Sequence, residues 1–231
     1  MCFADGEGGC VLRVERITTG YGKKQVLADV SFDVERGDAV LLSGGNGSGK
    51  STVLKTIYGL LKPWTSDGKI HFEGNDITAL PTASMIKYGI VYMPQKKNVF
   101  EDFTIEENLL TSAGIYPKTE AKKRTDKVFE MLPKLKTMQK RTPFNLSGGE
   151  RQLLAFGNVL VHSPKLALLD EPLVGVDGEN SEVFSRCIAD LKKKEITFII
   201  VEHKRQLLGD VINKEIELEL GTIKLNNQLG D

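Results

Sequence analysis

The stretch GGNGSGKST, Gly44 to Thr52, carries the pattern G-x-x-x-x-G-K-[ST], with Gly44, Gly49, Lys50 and Ser51 at the fixed positions. Its flanks decide how it is read. Ala39 to Leu42 ahead of it is an apolar run of strand length, and Val53, Leu54, Ile57, Leu60 and Leu61 behind it recur as one helical face. A glycine-rich loop between strand and helix lets successive backbone N–H groups converge on phosphate oxygens, and the helix terminus adds partial positive charge. In that setting Lys50 neutralises the outer phosphates and the Ser51 hydroxyl can ligate Mg²⁺. Asn46, Gly47 and Thr52 complete the candidate phosphate-binding set.

Outward from the loop, Ile90 to Tyr92, Leu166 to Leu169 and Phe198 to Val201 read as further buried strands, separated by stretches long enough for crossover helices. That alternation predicts an α/β core with a mainly parallel sheet, and the Gly44 to Thr52 motif makes the expected core one of the P-loop NTPase type. The opening region differs: Val11 to Val14, Ser31 to Val34 and Lys69 to Phe72 predict an N-terminal antiparallel β subdomain, with Asp67-Gly68 as a turn before the last. Between Gln95 and Ser147 no good strand is found, whereas Ile105 to Ser112 and Thr119 to Leu132 have helical composition, interrupted by Pro117 and Pro133. An inserted α-helical lobe over about residues 96–160 is therefore expected. Beyond Gly209, Ile216, Leu218, Leu220 and Ile223 alternate as short strand pieces. With no space for an accessory domain, one domain over 1–231 is expected.

Lys plus Arg and Asp plus Glu both number 31, so the chain has no net charge and no basic stripe of the kind that neutralises a phosphate backbone. Nucleic acid is excluded as a first-choice partner, and Lys122 to Arg124 and Lys192 to Lys194 read as solvated helix faces. No apolar run reaches the ~18 residues that span a bilayer, so any membrane role must come through another chain. MCFADGEGGC has neither a cationic leader nor an apolar segment and reads as a frayed start. Cys2, Cys10 and Cys187 are odd in number and lack metal-ligand spacing, which fits a reducing cytoplasm. Cys187 shares an apolar face with Val183, Phe184, Ile188 and Leu191 and is expected in the core.

KLALLDEP, Lys165 to Pro172, is a buried strand ending in two carboxylates. Two anions there repel one another unless a cation joins them. Asp170 suits a Mg²⁺ shell, and Glu171 is placed to orient or deprotonate a water for in-line attack. His203 and Gln95 each follow an apolar strand and so fall at the same carboxyl-end edge, where ligands of open α/β sheets collect. His71 and His162 have no such placement.

A second glycine-rich helix start, LSGGERQ, Leu146 to Gln152, raises a different question. Ser147 and Glu150 form a capping-box pattern ahead of the face Leu153, Phe156 and Leu160. The cap does not explain Gly148 and Gly149, each of which costs about 1 kcal/mol against alanine in a helical turn. Paired glycines at a helix N-terminus suit the close approach of a large anion to the backbone. Because no lysine or metal ligand stands beside them, they are expected to complete a phosphate site whose charge is handled elsewhere.

Taken together, these stretches resemble the ATP-binding subunits of ATP-binding-cassette (ABC) transporters over nearly the whole chain, and LSGGERQ is the most specific element. The resemblance implies ATP and Mg²⁺ as cofactors, with Tyr21 of GYGKKQVL stacking on adenine and Gly44 to Thr52 holding the phosphates. It implies that Ser51, Gln95 and Asp170 serve the metal, that Glu171 serves the attacking water and that His203 contacts the γ-phosphate. Asp177 of VGVD would act in the loop crossing between subunits. It further implies a second ABC subunit, like or homologous, packed head to tail so that Ser147, Gly148 and Gly149 of one face the γ-phosphate held by Lys50 of the other. Polytopic permease subunits would be the membrane partners, the chain lying in the cytoplasm on the inner face of the membrane. GNDITALP and YGIVYMPQKKNVFEDFTIEENLL are similar to the branched-chain amino-acid importer ATPases, and VGVD leans toward lipopolysaccharide export. The alternatives are a soluble cassette ATPase that remodels a protein or metal-cluster assembly, and a nucleotide-binding module without turnover.

Overall fold

The computed structural model describes residues 9–78, 80–96, 98–203 and 205–229. Cys2 and most of the segment read as a frayed start lie outside them.

The chain opens with two twelve-residue strands, β1 (Cys10–Tyr21) and β2 (Lys24–Glu35), paired antiparallel. Both are longer than their apolar alternation suggests. Arg16 (φ 47) and Asp29 (φ 53) are left-handed and shift the register, so the inward pattern breaks in mid-strand. The break is held by hydroxyls: Arg16 N donates to Ser31 Oγ at 2.8 Å and Asp29 N to Thr18 Oγ1 at 3.1 Å. Next come β3 (Ala39–Ser43), α1 (Lys50–Ile57), β4 (Lys69–Phe72) and β5 (Asn75–Asp76), then α2 (Thr82–Met85) and β6 (Ile90–Met93). The helical stretch follows as α3 (Ile105–Ser112), α4 (Lys118–Met131), α5 (Pro133–Thr137) and α6 (Gly148–Leu160). Pro133 does more than interrupt a helix, since it is the first residue of α5, where its missing N–H costs nothing. The remainder is β7 (Leu166–Asp170), α7 (Gly178–Lys192), β8 (Thr197–Val201), β9 (Lys214–Glu219) and β10 (Thr222–Gln228).

The described strands form an antiparallel sheet in the order β2-β1-β4-β5 and a larger one in the order β10-β9-β3-β8-β7-β6. In the larger sheet every pairing from β9 to β6 is parallel, and β10 is antiparallel to β9. Its central strands are buried on both faces, which is why they read as continuous apolar runs. On one face Val40, Leu168 and Ile199 meet α1 through Leu54 and Ile57, and the antiparallel sheet through Leu12 and Phe72. On the other, Leu41, Leu169, Phe198 and Ile200 meet α6 and α7, where the Phe156 and Phe184 rings stand 4.2 Å apart. Cys187 is buried in this second core, and burial pushes its thiol up to about 12.

One residue is misplaced by the alternation. Leu220 is not an inward strand residue; it sits in the turn between β9 and β10 with φ 48 and 91% exposure. That turn is fastened to the loop after β3. Gly221 N donates to Ser48 O at 3.0 Å, and Ala28 N to Gly221 O at 2.9 Å. A side chain on Gly221 would put its Cβ 2.0 Å from Val26 O, and one on Gly44 would put its Cβ 2.1 Å from Leu218 O.

Candidate functional site

Because β3, β8, β7 and β6 run parallel, the residues that follow them leave the sheet at one edge. After β3, Gly44 to Gly49 wrap the N-terminus of α1, with Gly49 left-handed (φ 109) at the cap. Lys50 is 6% exposed and folds back over the loop, its Nζ donating to Gly44 O and Gly45 O, both at 2.9 Å. Burial holds its ammonium below the usual lysine range, against the opposing pull of Glu171 and Asp170. Ser48 Oγ is buried with no partner among the described residues, a polar group suited to a ligand in the loop.

Asp170 ends β7, and both its oxygens are engaged. Ser51 Oγ donates to Oδ1 at 2.8 Å, and Tyr92 Oη donates to Oδ2 at 3.0 Å. Burial first, and the adjoining Asp170 second, push the Tyr92 phenol far above its ordinary range, so it stays a donor. The next residue, Glu171, is left-handed (φ 49), a backbone conformation costing a bulky residue about 1–2 kcal/mol. The turn brings its carboxylate between two strand ends. Gln95 Nε2 donates to Oε2, and His203 Nε2 lies 3.3 Å from Oε1. Strain of this kind at a converging polar cluster marks a place where geometry outweighs stability.

A cavity of about 500 Å³ opens over the loop. Tyr21, Asn46, Gly47, Gly49, Lys50, Ser51, Thr52, Glu171 and His203 line it, so the structure brings these sequence candidates together. Tyr21 is 47% exposed at its rim, with the Lys55 ammonium 5.7 Å from the ring centroid. Lys24, Gln25, Val26 and Leu220 also line it and were missed, since nothing in their spacing marks them. Gln95 joins the site through Glu171 and Asp170 through Ser51, while Gly44 braces the loop from behind.

Ser147, Gly148, Gly149 and Asp177 do not line this cavity. The expected capping box is present: Ser147 Oγ accepts from Glu150 N at 3.2 Å and Glu150 Oε2 from Ser147 N at 2.9 Å. Gly149 has a packing reason beyond ligand approach. A Cβ there would stand 2.7 Å from Asn180 Nδ2. Asp177 in turn caps α7, its Oδ1 accepting from Asn180 N at 2.9 Å and its Oδ2 from Asn180 Nδ2 at 2.8 Å. These bonds, the backbone one first, hold the Asp177 carboxyl below its usual range. Glu202 was also missed. It is 5% exposed and accepts from two backbone amides, Leu173 N at 3.1 Å and His203 N at 2.7 Å, which ties the segment after Glu171 to the histidine.

Ser51 and Asp170 offer a hydroxyl and a carboxylate oxygen side by side, a donor set suited to a hard cation. Among the described residues there is no cluster of three or more His, Cys, Asp or Glu that would cage a metal unaided. A cation here would draw its other ligands from phosphate and water, as Mg²⁺ does.

The chain belongs to the ABC transporter family, whose pattern matches residues 27–174. It is 35% identical to the high-affinity branched-chain amino acid transport ATP-binding protein BraG of Pseudomonas aeruginosa, over 94% of this chain and 92% of that one. It is 31% identical to the lipopolysaccharide export system ATP-binding protein LptB of Haemophilus influenzae, over 92% and 88%. Among solved structures, the ADP conformation of an ATP-binding cassette of an ABC transporter superposes with a TM-score of 0.85 at 32% identity, covering 95% of this chain and 91% of that one. The chain is thus a nucleotide-binding ATPase of the cassette type. No helix among the described residues is long and apolar enough to cross a membrane.

Proposed function

We propose that this chain is the Mg²⁺-dependent ATPase of a branched-chain amino-acid importer, one domain over residues 1–231 with the helical lobe of about 96–160 inserted in it. The observation that carries the turnover reading is the carboxylate of Glu171 held between Gln95 and His203 at the mouth of the Lys50 cavity. In this reading Tyr21 stacks on adenine, and the loop amides, Lys50 and Thr52 cradle the phosphates. Ser51, Asp170 and Gln95 hold Mg²⁺, which when bound neutralises charge building on the transferred phosphoryl group. Glu171 orients and deprotonates water, and His203 steadies both Glu171 and the γ-phosphate.

Ser147, Gly148, Gly149 and Asp177 stand outside the cavity of their own chain and would complete that of a second cassette packed head to tail. The match to BraG supports amino-acid import over the alternatives; the match to LptB supports lipopolysaccharide export as the second reading. Polytopic permease subunits are the membrane partners, which places the chain on the inner face of the cell membrane. Val99 and Phe100, on the wall of a groove of about 300 Å³ beside Gln95, are the contact to test.

Glu171→Gln keeps the shape of the side chain and removes the base. It is expected to retain ATP, lose turnover and elute as an ATP-dependent dimer on size exclusion. A monomer with ATP bound, or wild-type protein inert with Mg·ATP, defeats the reading. Co-purification with branched-chain permease subunits, rather than with an export complex, tests the substrate class.

A further inference from the structure

We propose that Tyr92 is a positioning residue for the divalent cation and links it to the groove between the parallel sheet and the helical lobe. This rests on reading Ser51 and Asp170 as the cation's ligands. Asp170 is 3% exposed, so neither oxygen is satisfied by bulk water. Oδ1 is paired with Ser51, the other prospective ligand, and among the described residues the phenol of Tyr92 is the one donor to Oδ2, at 3.0 Å. That hydrogen bond fixes the rotation of the carboxylate about its Cβ–Cγ bond and so the direction in which Oδ1 is offered. Partners of this sort commonly change metal affinity by about 10–100-fold when removed.

The strand register brings the two side chains to one face. β6 and β7 are parallel with Tyr92 opposite Leu168, and Asp170, two residues further along β7, points to the same face.

The same ring faces a second environment. Tyr92 and Tyr58 pack with centroids 5.5 Å apart and together line the groove of about 300 Å³ that Pro94, Asn98, Phe100 and His162 also line. The permease contact proposed at Val99 and Phe100 would lie in the groove that this ring lines, so the ring whose hydroxyl orients Asp170 borders both. Gln95 reaches the site through Glu171; Tyr92 is a separate connection, made through Asp170.

The test is a Mn²⁺ titration of the full chain, followed by electron paramagnetic resonance, with a non-hydrolysable ATP analogue bound. Tyr92→Phe keeps the ring and removes only the hydroxyl. It is expected to weaken Mn²⁺ by about 10-fold, while analogue affinity in EDTA stays within about two-fold of wild type. Tyr58→Ala, which loosens the ring but spares the hydroxyl, is expected to weaken Mn²⁺ by a smaller factor. Asp170→Asn is the control. If it weakens Mn²⁺ and Tyr92→Phe does not, the positioning role is wrong. Equal weakening with and without metal shows general damage to the loop and also overturns it. An unaffected Tyr58→Ala overturns the link to the groove. If Asp170→Asn itself binds Mn²⁺ normally, the assignment of the cation site fails and this inference with it.

Discussion

A methyl group built on Gly149 would stand 2.7 Å from Asn180 Nδ2 and 3.2 Å from the Asn180 Cβ. Asn180 cannot easily withdraw, because Asp177 accepts from both its backbone and its side chain and Lys134 Nζ donates to its Oδ1 at 3.0 Å. Alanine would otherwise favour the helix by about 1 kcal/mol. Overpacking reverses the sign, so Gly149→Ala is expected to destabilise by roughly 1–3 kcal/mol. Adding Asn180→Ala should recover part of that loss, and the non-additivity, read from denaturant melts of the four proteins, checks the contact.

Lys50 is a buried cation whose ammonium is held below its ordinary range by desolvation. Such a group serves ligands at the expense of the free chain. Lys50→Met is expected to abolish turnover and weaken nucleotide binding by at least about ten-fold without lowering the melting temperature of the nucleotide-free protein. A melting temperature that falls with the activity would show that Lys50 holds the loop together.

Glu202 accepts from Leu173 N and His203 N inside the fold. A hydrogen bond to a charged acceptor is worth about 1.5–3 kcal/mol, more than one to a neutral amide. Glu202→Gln turns one acceptor into a donor facing an amide N–H. Stability should drop by roughly 1–3 kcal/mol, and turnover should fall with kcat more than with KM, since His203 loses its seat while the phosphate loop is untouched. Steady-state kinetics beside thermal melts separates the two effects.

His162 is packed against the Tyr116 ring, and burial, aided by Arg124, pushes its imidazole down to about 4. The fold therefore keeps it neutral. The stability this carries is complete above the unfolded value of 6.5 and is lost as pH falls from 6.5 toward about 4, where the unfolded chain takes up a proton that the folded chain does not. In His162→Gln the melting temperature should decline less steeply across that window than in the wild type, measured by calorimetry at closely spaced pH values.

Leu220 holds a left-handed backbone while fully exposed. Leu220→Gly is expected to stabilise the chain by about 1 kcal/mol through relief of that strain, read as a higher denaturant midpoint with an unchanged slope.

The elements legible in the residues were those whose environment repeats along the chain. Ala39 to Leu42 and Phe198 to Val201 are apolar at every position because both faces are covered, and Asp170, Glu171, Gln95 and His203 were found by the rule that ligands gather at carboxyl ends of parallel strands. Where one residue breaks the repeat, the reading shortens or slips: Arg16 and Asp29 hid most of each opening strand, and Leu220 was assigned to a face it does not share. Tyr92, Glu202 and Asn180 were invisible for another reason. Each acts on a partner from a different element, 78, 29 and 31 residues away respectively for Asp170, Leu173 and Gly149. No local pattern records such distances.

β3 lies between β8 and β9, and Ser48 of the loop that follows it is bonded by Gly221. A ribosome releases Lys50 well before it has made either flanking strand. During synthesis the nascent phosphate loop is thus attached to a strand with two open edges, and pairings this distant in sequence are slow to form. The brace that Gly221 lends the loop through Ser48 is thus among the last contacts the described strands can make during synthesis.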